Sequence, residues 1–151
     1  MLPFNKILCP TDFSEASDKA LEAASELALH FSGEVILLHV VHPLAVVPQA
    51  TRFDVPLYQS EMETYARTRL QEIVEKGMTG ITFHQAVVLG GAADEIVNVA
   101  KQKNADVVVI ATHGQTGWRR VMFGSVAERV VRLAERPVLI IHASPKENEG
   151  P

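Results

Sequence analysis

The chain has 151 residues, of which 47% are apolar and 21% charged, with a formal net charge of −4. That is the size of one domain with room for a single sizeable core, and the balance excludes a disordered chain. The net negative charge excludes a general attraction to nucleic acid or to an anionic membrane, and no apolar run reaches the roughly 18 residues that span a bilayer. The single cysteine, Cys9, cannot close an internal disulfide, which fits a reducing compartment. Met1-Leu2-Pro3-Phe4 runs toward a strand without signal-peptide anatomy. The expectation is a cytoplasmic protein, with neither nucleic acid nor membrane as partner.

Lys6-Ile7-Leu8-Cys9-Pro10 reads as a short buried strand stopped by Pro10. Thr11-Asp12-Phe13-Ser14-Glu15 offers helix-start chemistry, with Asp12 or Ser14 as N-cap. Ala16, Ala20, Ala23, Leu27 and Phe31 follow at helical spacing, so a helix is expected to about His30, ended by Gly33. The near-continuous apolar run from Glu34 to Val41 marks a strand covered on both faces. Two such strands around a helix make a right-handed βαβ unit.

Residues 42–57, with Pro43, Pro48 and Pro56, read as a long irregular loop. Met62, Ala66, Leu70 and Ile73 mark an amphipathic helix that ends near Gly77 and Gly80. Residues 81–89 form a third strand, and His84 and Gln85 within it suit a sheet edge. After Gly90-Gly91, the residues Ile96, Val99 and Ala100 share one face of a third helix.

The stretch that organises the chain comes next. Ala105-Asp106-Val107-Val108-Val109-Ile110-Ala111-Thr112-His113-Gly114 is a β-branched apolar run, expected as the central strand, that ends in a small-residue loop. Ten residues beyond Gly114, Gly124-Ser125 opens a helix carrying Val126, Val130, Leu133 and Ala134. A strand, a glycine-marked loop and a helix N-terminus together suit an anion, because free backbone N–H groups and the helix dipole point the same way. Pro137-Val138-Leu139-Ile140-Ile141 is a last strand. One domain over 1–143 and a polar tail over 144–151 are expected, with no internal repeat or linker.

The alternation of strand and helix implies a parallel sheet with helices on both faces. Ligands of such sheets bind beyond the C-terminal strand ends, where the strand order switches. Pro10-Thr11-Asp12 and residues 111–114 would share that crevice if their strands are neighbours.

Here the sequence resembles the universal stress protein family over nearly its whole length. Nucleotide-binding members carry a glycine, two residues, a glycine, nine residues, then glycine with serine or threonine. The matching positions are Ala111, Gly114 and Gly124-Ser125. The opening Lys6 to Ser14, the strand Val35 to Val40 and the closing Gly124-Ser125-Val126-Ala127-Glu128 with Arg136-Pro137-Val138-Leu139-Ile140 match as well. The resemblance implies a single three-layer, doubly wound α/β domain of the adenine nucleotide alpha hydrolase-like kind. Its five-stranded parallel sheet would have strand order 3-2-1-4-5. It implies ATP binding, or AMP in its place, with or without Mg²⁺, and a homodimer. Asp12 and the backbone near Val40 would hold ribose and adenine. Gly114, Gly124, Ser125 and the backbone of Val126 would hold phosphates, with Pro10, Thr11, Ala111, His113, Arg119 and Ala127 completing the candidate set. The departure is Ala111, where the fullest motif has glycine. Its methyl is tolerated if φ is negative and hinders ligand approach if φ is positive.

Each of these residues has a plainer reading too. Asp12 could simply cap the first helix, and it serves both purposes only if its two oxygens divide the work. Ser125 and Glu128 could form a capping box. Gly114 and Gly117 could be turn glycines, and Arg119 with Arg120 a solvated pair rather than phosphate ligands. His113 could contribute only its backbone. His39 and His42 do not share a face suited to a metal, and Cys9 reads as a small core residue. The last strand, residues 138–141, could be a plain edge or could pair with a second copy.

There is no Gly-x-x-x-x-Gly-Lys-Ser/Thr, no Gly-x-Gly-x-x-Gly after the first strand and no Gly-x-Ser-x-Gly. One carboxylate without an evident base or lysine is poor equipment for phosphoryl transfer. The leading expectation is a stress-response regulatory module that binds ATP and acts on an unknown protein partner. The alternatives are a dimeric interaction module without nucleotide, or at most a slow ATPase.

Overall fold

Apolar runs too short for helices, separated by amphipathic segments, fold as alternating strands and helices. A computed structural model of the chain describes residues 2–44, 55–112 and 124–143. In chain order these residues form β1 (Lys6–Pro10), α1 (Glu15–Phe31), β2 (Glu34–Val41), α2 (Val55–Glu75) and β3 (Thr82–Leu89). They continue with α3 (Ala92–Gln102), β4 (Val107–Thr112), α4 (Ser125–Leu133) and β5 (Val138–His142). All strand pairs are parallel, in the order β3-β2-β1-β4-β5. The expected order is therefore the observed one. The middle position goes to β1 rather than to β4, which stands one place off centre. The expected tail at 144–151 lies outside the described residues.

Helices cover both faces of the sheet. On one face Ile7, Cys9, Val35, Val107 and Val109 pack under Ala20, Ala24 and Ala28 of α1. Alanines at four-residue spacing let that helix lie close to the strands. On the other face Leu8, Ile36, Leu38, Val108 and Ile110 pack under Ile96 and Val99 of α3 and under Ala127 and Val130 of α4. Buried β1 and β4 thus read as continuous apolar runs, whereas β3, at the edge, carries exposed His84 and Gln85 as expected. Among the described residues no helix is long and apolar enough to cross a membrane.

Three local expectations are corrected. Residues 45–54 of the stretch expected as irregular over 42–57 lie outside the described residues, and its end is helical, because α2 already begins at Val55. Pro56 sits in its first turn, where a missing N–H costs no hydrogen bond. Helix α1 does not end on a left-handed Gly33. Ser32 takes that conformation, at φ 54°, and the Gly33 N–H closes on the Ala28 carbonyl at 2.8 Å. Glycine is required at 33 for space: a Cβ there would stand 2.7 Å from the carbonyl oxygens of both Phe4 and Asn5. Finally, the capping box proposed for Ser125 and Glu128 is absent. Gly124 is the N-cap of α4, Ser125 is its first helical residue, and Glu128 pairs with Arg132 at 2.8 Å instead.

Cys9 is fully buried, and burial pushes its thiol up to about 12. A thiol held neutral and enclosed is inert. At pH 8 the native protein is therefore expected to give no reaction with a thiol reagent on the timescale of mixing, and one equivalent in denaturant. Native labelling at the unfolded rate would contradict this core position.

Candidate functional site

From β1 the chain crosses to α1 on one face, and from β4 to α4 on the other. That is the switch point, and the two strands hold together there only briefly. They pair at Ile7 with Val107 and at Leu8 with Val108. Below this pair the Asp106 carboxylate accepts from the N–H groups of Asn5 and Lys6 at 2.9 and 2.8 Å, closing the N-terminal end. Toward the C-terminal strand ends lies a cleft of about 310 Å³, a volume suited to a small ligand. Its walls are Pro10, Thr11 and Asp12 after β1, Leu38 to Val40 of β2, and Ile110 and Ala111 of β4. Ala92 and Ile96 of α3 and Gly124 to Ala127 at the start of α4 complete it.

The turn from β1 into α1 uses up nearly all its own polar groups. The Phe13 N–H donates to the Thr11 hydroxyl at 3.0 Å, and the Ser14 N–H to Asp12 Oδ1 at 2.9 Å. Ser14, not Asp12, is the N-cap, its hydroxyl accepting from the Ser17 N–H at 3.2 Å. Asp12 thus commits one of its two oxygens to the turn. Oδ1 holds the turn, while Oδ2 makes no protein hydrogen bond among the described residues of this cleft-lining, exposed side chain.

Strand β2 outlasts β1. The Thr11 N–H donates to the Leu38 carbonyl at 2.8 Å, so the polar groups of Leu38 face β1. Strand alternation aims those of Val40 the same way, past the last β1 pair, Pro10 with Leu38. Val40 thus presents one N–H donor and one C=O acceptor to the cleft. Opposite, α4 starts at Gly124 with no side-chain cap among the described residues, and its first N–H groups have no partner within the helix. Ala111 is a β4 residue and is not among those with positive φ. That is the backbone condition under which its methyl is expected to be tolerated.

Of the candidate residues, Pro10, Thr11, Asp12, Val40, Ala111, Gly124, Ser125, Val126 and Ala127 all line this one cleft. His113, Gly114 and Arg119 lie outside the described residues, as do Gly117 and Arg120. Sequence reasoning missed the apolar walls Leu38, Ala92, Ile96 and Ile110. Ile96 was legible only as a core-facing position, since periodicity cannot separate the core from the cleft it borders. Among the described residues no group of three His, Cys, Asp or Glu side chains is placed to hold a metal ion. Asp18, a turn along α1, has its carboxyl raised above the usual range by burial and then by Glu22, against the lowering pull of Arg69.

Residues 3–142 match the model of the universal stress protein family. The chain belongs to that family. This universal stress protein is 34% identical over 148 residues to the universal stress protein MJ0531 of Methanocaldococcus jannaschii, covering 95% of this chain and 85% of that one. The solved structure of the M. jannaschii protein MJ0577, 27% identical, superposes with a TM-score of 0.81, covering 96% of this chain and all of that one. A universal stress protein in complex with cAMP, 21% identical, shares the fold at a TM-score of 0.64, covering 92% of this chain and 97% of its own.

Proposed function

We propose that this universal stress protein binds an adenine nucleotide, ATP in the first instance, in the cleft at the β1/β4 switch point. Occupancy would then bias its conformation and its choice of protein partner. The carrying observation is the Val40 backbone N–H and C=O, unpaired among the described residues, on one side of a cleft whose other side is a helix N-terminus with no side-chain cap among them. A donor and an acceptor on one residue match the N1 acceptor and N6 donor of adenine. The free Asp12 Oδ2 lies between, suited to ribose hydroxyls. The start of α4 suits phosphate through its N–H groups and dipole. The cAMP complex of a protein with this fold supports an adenine ligand. Ala111, Pro10 and Thr11 would flank the sugar, and His113, Gly114 and Arg119 would complete the phosphate side. Mg²⁺ would arrive with the phosphates, since the described side chains provide no metal cluster.

A ligand shifts a state only as far as it binds that state better, so regulation here is differential affinity rather than hydrolysis. At a concentration of about 100 times Kd, ATP is expected to stabilise the native state by about 2.7 kcal/mol. The melting temperature would rise by roughly 5–10 °C for a domain of this size. No rise at millimolar Mg-ATP would remove the proposal. The buried lone cysteine supports a cytoplasmic setting.

Strand β5 supports a second part of the reading, a homodimer. It is a sheet edge with one row of unpaired backbone groups, and Leu139 on it is 39% exposed. Val131 and Leu133 of the neighbouring α4 are exposed as well. Pairing β5 with its copy would cover Leu139, on the α1 face, and bring the α4 residues of the opposite face close to the seam. Leu139→Lys is expected to convert a dimer to a monomer by light scattering, while leaving the melting temperature at low protein concentration unchanged. A wild-type protein that runs as a monomer at high concentration would refute the dimer.

A further inference from the structure

Phe13 follows Asp12 and takes a left-handed backbone conformation, at φ 64°. For a bulky side chain that is an outlier, held only where the surroundings over-determine it. Four contacts do so. Its ring stacks on the His39 imidazole with centroids 4.4 Å apart and planes 24° apart. The Arg69 guanidinium of α2 lies over the ring, 5.4 Å from its centroid, and Tyr65 of α2 meets it edge-on at 6.3 Å. The Phe13 N–H is fixed by the Thr11 hydroxyl. The clamp closes on itself, because His39 Nδ1 stands 2.8 Å from the Thr11 carbonyl. A carbonyl only accepts, so Nδ1 carries the proton and the imidazole is oriented. The Arg69 Nε is buried and makes no hydrogen bond among the described residues, and its charge also acts on Asp18 of α1.

Neither neighbour explains the strain by itself. Turning the backbone to positive φ at Phe13 sends the ring to β2 and α2, away from the cleft. The Asp12 carboxylate is left on the cleft side, with Oδ1 tied to the Ser14 N–H and Oδ2 open. We propose that Phe13 is a positioning residue for the nucleotide site: by locking its ring between His39 and α2 it holds the Asp12 carboxylate toward the ligand, and thereby ties α2 to occupancy of the cleft. This rests on the nucleotide reading above. Ligand contact with Asp12 tightens the turn, the turn tightens the ring clamp, and the clamp ends on Tyr65 and Arg69. Helix α2 is thus the element whose exposed outer face would report occupancy to a partner.

The test is titration calorimetry with Mg-ATP on the full chain, alongside melting curves. Phe13→Ala is expected to weaken binding about tenfold and Phe13→Tyr, which keeps the ring, by less than twofold. Phe13→Gly relieves the backbone while removing the clamp. It is expected to fold at least as well as Phe13→Ala and still lose about tenfold, which separates positioning from a simple loss of stability. Because Phe13 acts through Asp12, Phe13→Ala placed on Asp12→Asn is expected to cost nothing further. Arg69→Met is expected to loosen the clamp and lose about threefold. Wild-type affinity in Phe13→Ala and Phe13→Gly, or losses that add fully to that of Asp12→Asn, would overturn the positioning role while leaving nucleotide binding in place. A wild-type protein that binds no adenine nucleotide would instead overturn the nucleotide reading, and the positioning role with it.

Discussion

Gly124→Val is expected to weaken Mg-ATP binding by about 100-fold or more, a loss of roughly 2.7 kcal/mol. The backbone at Gly124 has φ −54° and ψ 146°, a conformation open to any residue, so valine adds no strain there. What it adds is a branched side chain at the mouth of the cleft, beside the first N–H groups of α4. A phosphate must come within about 3 Å of those groups to accept from them. Valine is also a poorer N-cap than glycine, which costs the protein up to about 1 kcal/mol. The two effects separate in the measurement. Titration calorimetry reports the lost affinity, and the melting curve without ligand reports the small loss of stability. Unchanged affinity in a folded Gly124→Val protein would move the phosphates away from α4, and the anion-site reading of residues 111–125 would fail.

The second large effect is on stability and comes from the other end of the sheet. Gly33→Ala is expected to destabilise the protein by about 3 kcal/mol. The added methyl would lie 2.7 Å from the Phe4 and Asn5 carbonyl oxygens, which are backbone atoms. The Asn5 carbonyl is moreover held by the Glu34 N–H at 2.7 Å, the contact that starts the β1–β2 pairing. The sheet must therefore shift where β1 and β2 begin. Ser32→Gly is expected to act the other way, gaining about 1 kcal/mol, because glycine takes the left-handed φ of 54° without penalty. Denaturant midpoints for the two variants should thus move in opposite directions. Equal small losses from both would contradict this division of roles within the turn.

That turn also shows where local reading stops. A glycine after a helix suggests a left-handed cap, and the expectation for Gly33 followed. The cap conformation fell on Ser32 because the chain must pass under residues 4 and 5, a contact across the sheet that no local pattern carries. The capping-box alternative for Ser125 fails for a related reason. Its spacing to Glu128 satisfies a capping box, yet the helix starts one residue earlier than that box needs, with Gly124 as N-cap. Glu128 instead meets Arg132 on its own helix face. Phe13 gave no signal at all, since its strained backbone is tolerable only among His39, Tyr65 and Arg69, which are distant in sequence.

The sequence by itself determined the alternation of strands and helices, the buried character of β1 and β4, the polar edge at β3 and the family pattern that runs through Asp12, Ala111, Gly114 and Gly124-Ser125. These features are written in periodicity and in residue type, which act over a few residues. The tertiary structure decided that Ala111 keeps an extended backbone without positive φ. It also decided that, among the described residues, one Asp12 oxygen stays without a partner and Val40 turns an unpaired donor and acceptor toward the cleft. Each of these depends on where one strand ends relative to its neighbour. Strand ends are set by packing across the whole sheet, a sum of distant contacts that no local stretch of residues contains.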